Sequence, residues 1–178
     1  MRIVLVTRAF PPDTGEAPFP ASYELARGLK ACGHELLVLT FTDGESREET
    51  VDGIRVWRQK FDFQHYRSMQ LPLASAHCLA QALDLYTATE SLVGDFHPDV
   101  IESQEFNGLG LFWALERKYP FVVRCYGPLS HLLKGSLVGS FPPVDAELVN
   151  IMEIAPIGEA DGLITICQDM AARMSDWS

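Results

Sequence analysis

Residues 1–20 read MRIVLVTRAFPPDTGEAPFP. Ile3, Val4, Leu5 and Val6 form a short apolar run of the kind that fills a central parallel strand buried on both faces. The run stops at Thr7-Arg8. A loop with Pro11, Pro12, Gly15, Pro18 and Pro20 follows, and a helical pattern begins near Ala21. A buried strand, a Gly/Pro loop and a helix make the first unit of a doubly wound α/β domain. Ligands of such domains sit at the carboxyl ends of the strands, so this loop is expected to overhang the site.

The same alternation continues outward from that unit. Ala21 to Cys32 reads as a helix, with Ser22, Leu25, Ala26, Leu29 and Cys32 on one face and Gly33 as its C′ residue. Glu35 to Phe41 is a second strand, and Thr42 to Thr50 reads as a polar, acidic loop. Gly53 to Gln59 alternates at Ile54, Val56 and Trp57 and reads as an edge strand. Lys60 to Met69 is aromatic and takes no assignment. Pro72 to Val93 is a long helix, with Ala76, Leu79, Leu83, Tyr86 and Val93 as its stripe. Strand four is Val100 to Ser103. Asn107 is expected to cap a helix over Gly108 to Lys118, with Lys118 at its negative end. Strand five is Pro120 to Tyr126, broken by Gly127-Pro128. A short helix is expected over Ser130 to Val138. A second starts at Asp145, with Leu148, Ile151, Met152 and Ala155 in phase. Gly162 to Cys167 is strand six, and Gln168 to Trp177 the last helix. The order predicts an α/β, Rossmann-like, doubly wound and mainly parallel sheet with helices on both faces, as one domain over residues 1–178.

Composition fits that reading. The chain has 178 residues, 47% hydrophobic and 21% charged, enough apolar surface for a core and too much for disorder. No stretch approaches a membrane-spanning helix, and the first apolar run is too short for a signal peptide. Cys32, Cys78, Cys125 and Cys167 are widely spaced, and Cys125 and Cys167 lie in or beside apolar strand runs, where free cysteines are core residues. A reduced, cytoplasmic protein without a structural metal is expected. Net charge is -10, and Gly135 to Asp161 contains no Lys or Arg, which argues against a nucleic-acid groove. The acidity reads as a solvated face.

The commonest α/β ligand signatures are missing. Between strand one and its helix there is a single Gly15 and no GxGxxG. There is no GxxxxGK[ST] phosphate loop and no acidic pair at the end of strand one. The five histidines show no metal-ligand spacing, and no GxSxG elbow occurs. Polar side chains do gather at strand ends. Glu102, Gln104 and Glu105 follow strand four, where alternation puts Glu102 and Gln104 on one side and Ser103 and Glu105 on the other. Carboxylates and amides there suit the hydroxyls of a sugar.

VTRAFPPDTGE, a helix ending in CGHE, and then LLVLT resemble the start of a family 4 glycosyltransferase of the two-domain GT-B type. PDVIESQEF resembles that family's fourth strand and loop, and YPFVVRCYGP its fifth strand. Glu153 with EADGLITICQDMAARM resembles its closing pattern. The resemblance covers the N-terminal, acceptor-side half of such an enzyme. It implies a sugar transfer from a nucleotide diphosphate to a hydroxyl acceptor with retention, helped by positioning and electrostatic support and not by a metal or other cofactor. The nucleotide-sugar site and its Glu-x7-Glu motif would lie mostly on a C-terminal domain that this chain lacks, so the chain alone is expected to be inactive. By resemblance Gly15 matches the first glycine of the donor-phosphate loop, and Glu16 stands where the second would be. Tyr126-Gly127 lies where many relatives have His-Gly, so Tyr126, Gly127, Gln104 and Glu105 would meet the acceptor. Tyr126 cannot replace that histidine as a near-neutral acid or base, since a tyrosine's reference pKa is about 10, and the resemblance assigns no catalytic residue in this chain. The rival readings are a stand-alone Rossmann-like binding module and another α/β enzyme with its site at the same strand ends.

Overall fold

The structure, a computed structural model, describes residues 1–12, 20–66, 73–127 and 142–174. Seven strands form one sheet: β1 (Arg2–Val6), β2 (Glu35–Thr42), β3 (Arg47–Val51), β4 (Ile54–Lys60), β5 (Val100–Gln104), β6 (Phe121–Cys125) and β7 (Gly162–Thr165). Their order is β3-β4-β2-β1-β5-β6-β7. Every pairing is parallel except the β3–β4 ladder. Without β3, that order is the doubly wound one, with the chain reversing direction between β1 and β5. The helices are α1 (Pro20–Ala31), α2 (Leu73–Phe96), α3 (Leu111–Glu116), α4 (Pro143–Glu159) and α5 (Gln168–Met174).

The opening strand sits in the centre because both its faces are apolar. Ile3 and Leu5 pack with Leu36, Val38, Ile54, Val56 and Ala26 of α1. Val4 and Val6 pack on the other face with Leu37, Leu39, Ile101, Val123, Leu85 of α2, Trp113 of α3 and Ile157 of α4. Gly33 closes α1 as expected. Its φ is +83°, and the His34 N–H donates back to the Leu29 carbonyl at 3.2 Å.

The expected acidic loop over 42–50 is in part a strand. β3 pairs antiparallel with β4, so β3 is the sheet edge and β4 lies inside it, not at the edge. Asp52 and Gly53, with φ of 49° and 74°, make the two-residue turn between them. The ladder carries charges where periodicity looks for apolar residues. Arg55 Nε meets Glu48 at 2.6 Å, and Arg58 Nε meets Glu49 at 2.5 Å.

Asn107 does not cap the following helix. It adopts φ 59° next to Gly108 at φ 64°, and α3 starts only at Leu111. A Cβ on Gly108 would stand 2.5 Å from the Met152 carbonyl oxygen, so the chain passes α4 where only glycine fits. Arg117 ends α3 in the left-handed region, which leaves Lys118 past the helix end.

α4 also buries a different face from the one expected. Ile151 is 53% exposed, whereas Asp145, Val149, Glu153, Pro156 and Ile157 point inward. The two carboxylates face inward because other segments need acceptors. Asp145 takes the Ala74 N–H at 3.0 Å and the Ser75 N–H at 2.7 Å, capping α2 from a distant helix. Glu153 takes the Asn107 N–H at 2.8 Å. Burial pushes the Asp145 carboxyl up, and the bonds from Ser75 and Ala74 outweigh it, so its pKa lies below the ordinary value. Asp145→Ala is expected to cost about 1–2 kcal/mol in urea denaturation at neutral pH. The folded pKa being the lower one, the cap's contribution is present above the unfolded carboxyl's pKa and is lost as pH falls through the folded value, so the variant's deficit shrinks in acid.

Cys78 and Cys125 are buried, but Cys167 is exposed, two residues past the end of β7 at Thr165. The helix expected over Ser130 to Val138 lies outside the described residues, as do Pro72 and Trp177. Among the described residues no helix is long and apolar enough to cross a membrane, and no His/Cys/Asp/Glu cluster could hold a metal.

Candidate functional site

Three strands that meet at the topological switch, β1, β5 and β6, deliver their carboxyl ends to one pocket beside α1. It is lined by Thr7, Ser22, Glu102, Gln104, Arg124 and Tyr126 over an apolar floor of Leu5, Val6 and Leu25. Its enclosed space is about 10 Å³, room for one water-sized group such as a single hydroxyl, and the rest opens to solvent.

Alternation along β5 places Glu102 and Gln104 here. Glu102 lies opposite Val122 of β6 and Gln104 opposite Arg124, which brings Arg124 within reach of Glu102. The Arg124 Nε donates to Glu102 Oε1 at 2.6 Å and Nη2 to Oε2 at 3.3 Å. Burial lowers the Arg124 pKa, but the hydrogen bond to Glu102 and the negative charge of that carboxylate together more than offset it, and the net shift is upward.

A hydrogen-bonded chain fastens the other wall. The Gln104 Nε2 donates to Ser22 Oγ at 2.8 Å, and Ser22 Oγ lies 3.0 Å from Thr7 Oγ1. Thr7 in turn donates to the Ala9 carbonyl. The end of β5, the first turns of α1 and the start of the loop after β1 are thereby linked. Tyr126 stands beside Gln104, and burial raises its phenol above the ordinary value. At neutral pH it is a hydroxyl that donates and accepts hydrogen bonds, not a base.

Glu105 turns to the opposite side and is 1% exposed. Its Oε1 accepts the Tyr126 N–H at 2.7 Å and the Gly127 N–H at 2.5 Å. Burial raises its pKa above the usual carboxylate range, against the pull of these N–H groups. The structure therefore brings Gln104, Tyr126 and Gly127 together at one strand end, with Glu105 bound to main chain behind them. Gly15 and Glu16 lie outside the described residues.

Sequence reasoning missed three contributors. By pattern alone Ser22 belongs to an apolar helix face, Arg124 to the run of strand five, and Arg58 to an edge strand. Arg58 is 0% exposed, and its guanidinium donates to the Phe10 carbonyl at 2.7 Å and to the Pro11 carbonyl. It thus anchors the base of the loop that follows β1. An arginine in an otherwise alternating strand, with acidic partners a few residues before it, was the available signal.

Residues 20–178 match the family model of the glycosyl transferase 4-like domain. No curated protein sequence matches. Among solved structures, the chain is similar to a sucrose-phosphate synthase from Thermosynechococcus elongatus, at 14% identity and TM-score 0.71, over 99% of this chain and 45% of that one. It is also similar to the catalytic domain of starch synthase IV from Arabidopsis thaliana bound to ADP and acarbose, at 13% identity and TM-score 0.56, over 91% and 44%. A third similar structure is Phytolacca americana UGT2 complexed with UDP-2fluoro-glucose and pterostilbene, at 15% identity and TM-score 0.60, over 92% and 47%. The chain spans less than half the length of each of these three proteins.

Proposed function

Because the chain belongs to the glycosyl transferase 4-like domain family, we propose that it is the acceptor-binding half of a retaining glycosyltransferase that moves a hexosyl group from a nucleotide diphosphate to a hydroxyl acceptor. The observation that carries this reading is the pocket at the switch point, where Gln104, Tyr126, Ser22 and Thr7 present neutral hydrogen-bonding groups at the carboxyl ends of the strands. Gln104, Tyr126 and Gly127 border the acceptor. Glu105 acts behind them, as a positioning residue that holds the Tyr126–Gly127 main chain.

The Gly15-Glu16 loop borders the donor diphosphate, with Arg58 holding its base from β4. The donor itself is bound mainly by a second domain, and the ADP and UDP-2fluoro-glucose bound to the similar structures support a nucleotide donor. Catalysis on this reading rests on orientation and on hydrogen bonds to the departing diphosphate. It needs no metal or other cofactor, and the protein works in the cytoplasm.

The test is to sequence the native transcript past the codon for Ser178 and assay the intact product with UDP-, ADP- and GDP-sugars. The intact protein is expected to release nucleoside diphosphate in the presence of a hydroxyl acceptor, and the 178-residue chain alone is expected to release none. A stop codon directly after Ser178, or an intact protein inert with every donor, overturns the reading.

A further inference from the structure

The charge balance of the pocket bears on what fills it. Among the described residues that line it, Arg124 is the one cation and Glu102 the one anion. The carboxylate takes the guanidinium by two nitrogens, at 2.6 and 3.3 Å. An arriving phosphate would find the cation already engaged and a carboxylate beside it, and at close range such like charges are costly.

The remaining polar groups are neutral, and one is left open. Gln104 is 6% exposed, and its Oε1 has no hydrogen-bond partner among the described residues, while its Nε2 is engaged by Ser22. Exchanging the amide oxygen and nitrogen would leave one amide atom open all the same. A buried polar group of this kind is expected to find a partner. A ligand hydroxyl both donates and accepts, so it satisfies the amide in either orientation.

We propose that this pocket takes the uncharged, hydroxyl-bearing part of a carbohydrate and excludes a phosphate, and that Glu102 sets this specificity by neutralising Arg124. The proposal rests on the acceptor-side reading above and narrows its substrate to one that is uncharged where it meets Gln104. Replacing Glu102 by glutamine keeps the shape and releases the guanidinium, which then pairs with an anion in a partly desolvated site.

The experiment is a nuclear magnetic resonance titration of the 178-residue chain with glucose, galactose and mannose and with their 6-phosphates, read at the Gln104 side-chain amide. In the unaltered chain at least one neutral hexose is expected to shift that signal, with its 6-phosphate binding several-fold more weakly. In Glu102→Gln the phosphate is expected to gain on the order of tenfold in affinity relative to the neutral sugar. Adding Arg124→Met to that variant is expected to abolish the gain. The proposal is overturned if the unaltered chain binds a hexose phosphate at Gln104 as tightly as the neutral hexose. It is equally overturned if no hexose moves the Gln104 signal, or if Glu102→Gln leaves the ratio unchanged. The measurement on the unaltered chain stands by itself should the variant unfold. Failure of the transferase reading shows up elsewhere, as an intact protein that releases no nucleoside diphosphate whatever the ratio.

Discussion

Arg58→Ala is expected to lower the unfolding free energy by about 3–5 kcal/mol, the usual cost of removing one partner from a buried ionic and hydrogen-bonded group. The side chain is among the largest fully buried ones in the protein. Its removal leaves the Phe10 and Pro11 carbonyls without their donor, and leaves Glu49 with Arg47 as its remaining partner, at 3.0 Å. It also opens a cavity between the loop after β1 and the edge hairpin. Arg58→Lys is expected to recover little, because an ammonium lacks the planar fork that serves two carbonyls and a carboxylate together. Denaturation by urea reads the loss. Hydrogen exchange at the amides of residues 9 and 10 reads its location, and an effect spread evenly over the sheet would contradict the anchoring role.

Glu105→Ala is expected to cost about 2–4 kcal/mol, since the Tyr126 and Gly127 N–H groups lose their shared acceptor in a buried place. Glu105→Gln keeps an oxygen at that place and removes the charge, so it is expected to be near neutral or stabilising at pH 7. The pH dependence distinguishes the two substitutions. Burial raises the Glu105 pKa in the folded protein, so the folded state holds this proton to higher pH than the unfolded chain does. The contribution from the group is therefore greatest below the unfolded value and is lost as pH rises through the folded one. Glu105→Gln is expected to flatten that part of the stability profile. An unchanged profile would mean that the carboxyl is solvated.

Much of the fold was legible in the sequence, for a physical reason. Strands such as IVLV and LLVL are apolar on both faces and have no alternative to a central parallel position, and Gly33 had to follow α1. The parts that were not legible are those in which polar residues do structural work. β3 has no apolar pattern and is held by Arg55–Glu48 and Arg58–Glu49. The inward face of α4 carries Asp145 and Glu153, which periodicity assigns to water. The late start of α3 follows from the close approach of Gly108 to Met152, a tertiary contact that no local signal encodes. At the site, the sequence indicated the strand ends that carry Gln104 and Tyr126. It could not indicate that Glu105 turns inward, because alternation fixes the side of the sheet and not what waits there.

The cap that α4 lends to α2 has a consequence for synthesis of the chain. Ser75 and Asp145 are 70 residues apart, so the first turn of α2 leaves the ribosome long before its acceptor exists. At roughly 5–20 residues per second the delay is on the order of several seconds. Throughout that interval the helix start lacks the Asp145 carboxylate, and the apolar stripe behind it has no partner helix from α4. A nascent chain stalled before residue 142 is therefore expected to be the form that chaperones hold and proteases cut, and the domain to become resistant in one step once α4 emerges.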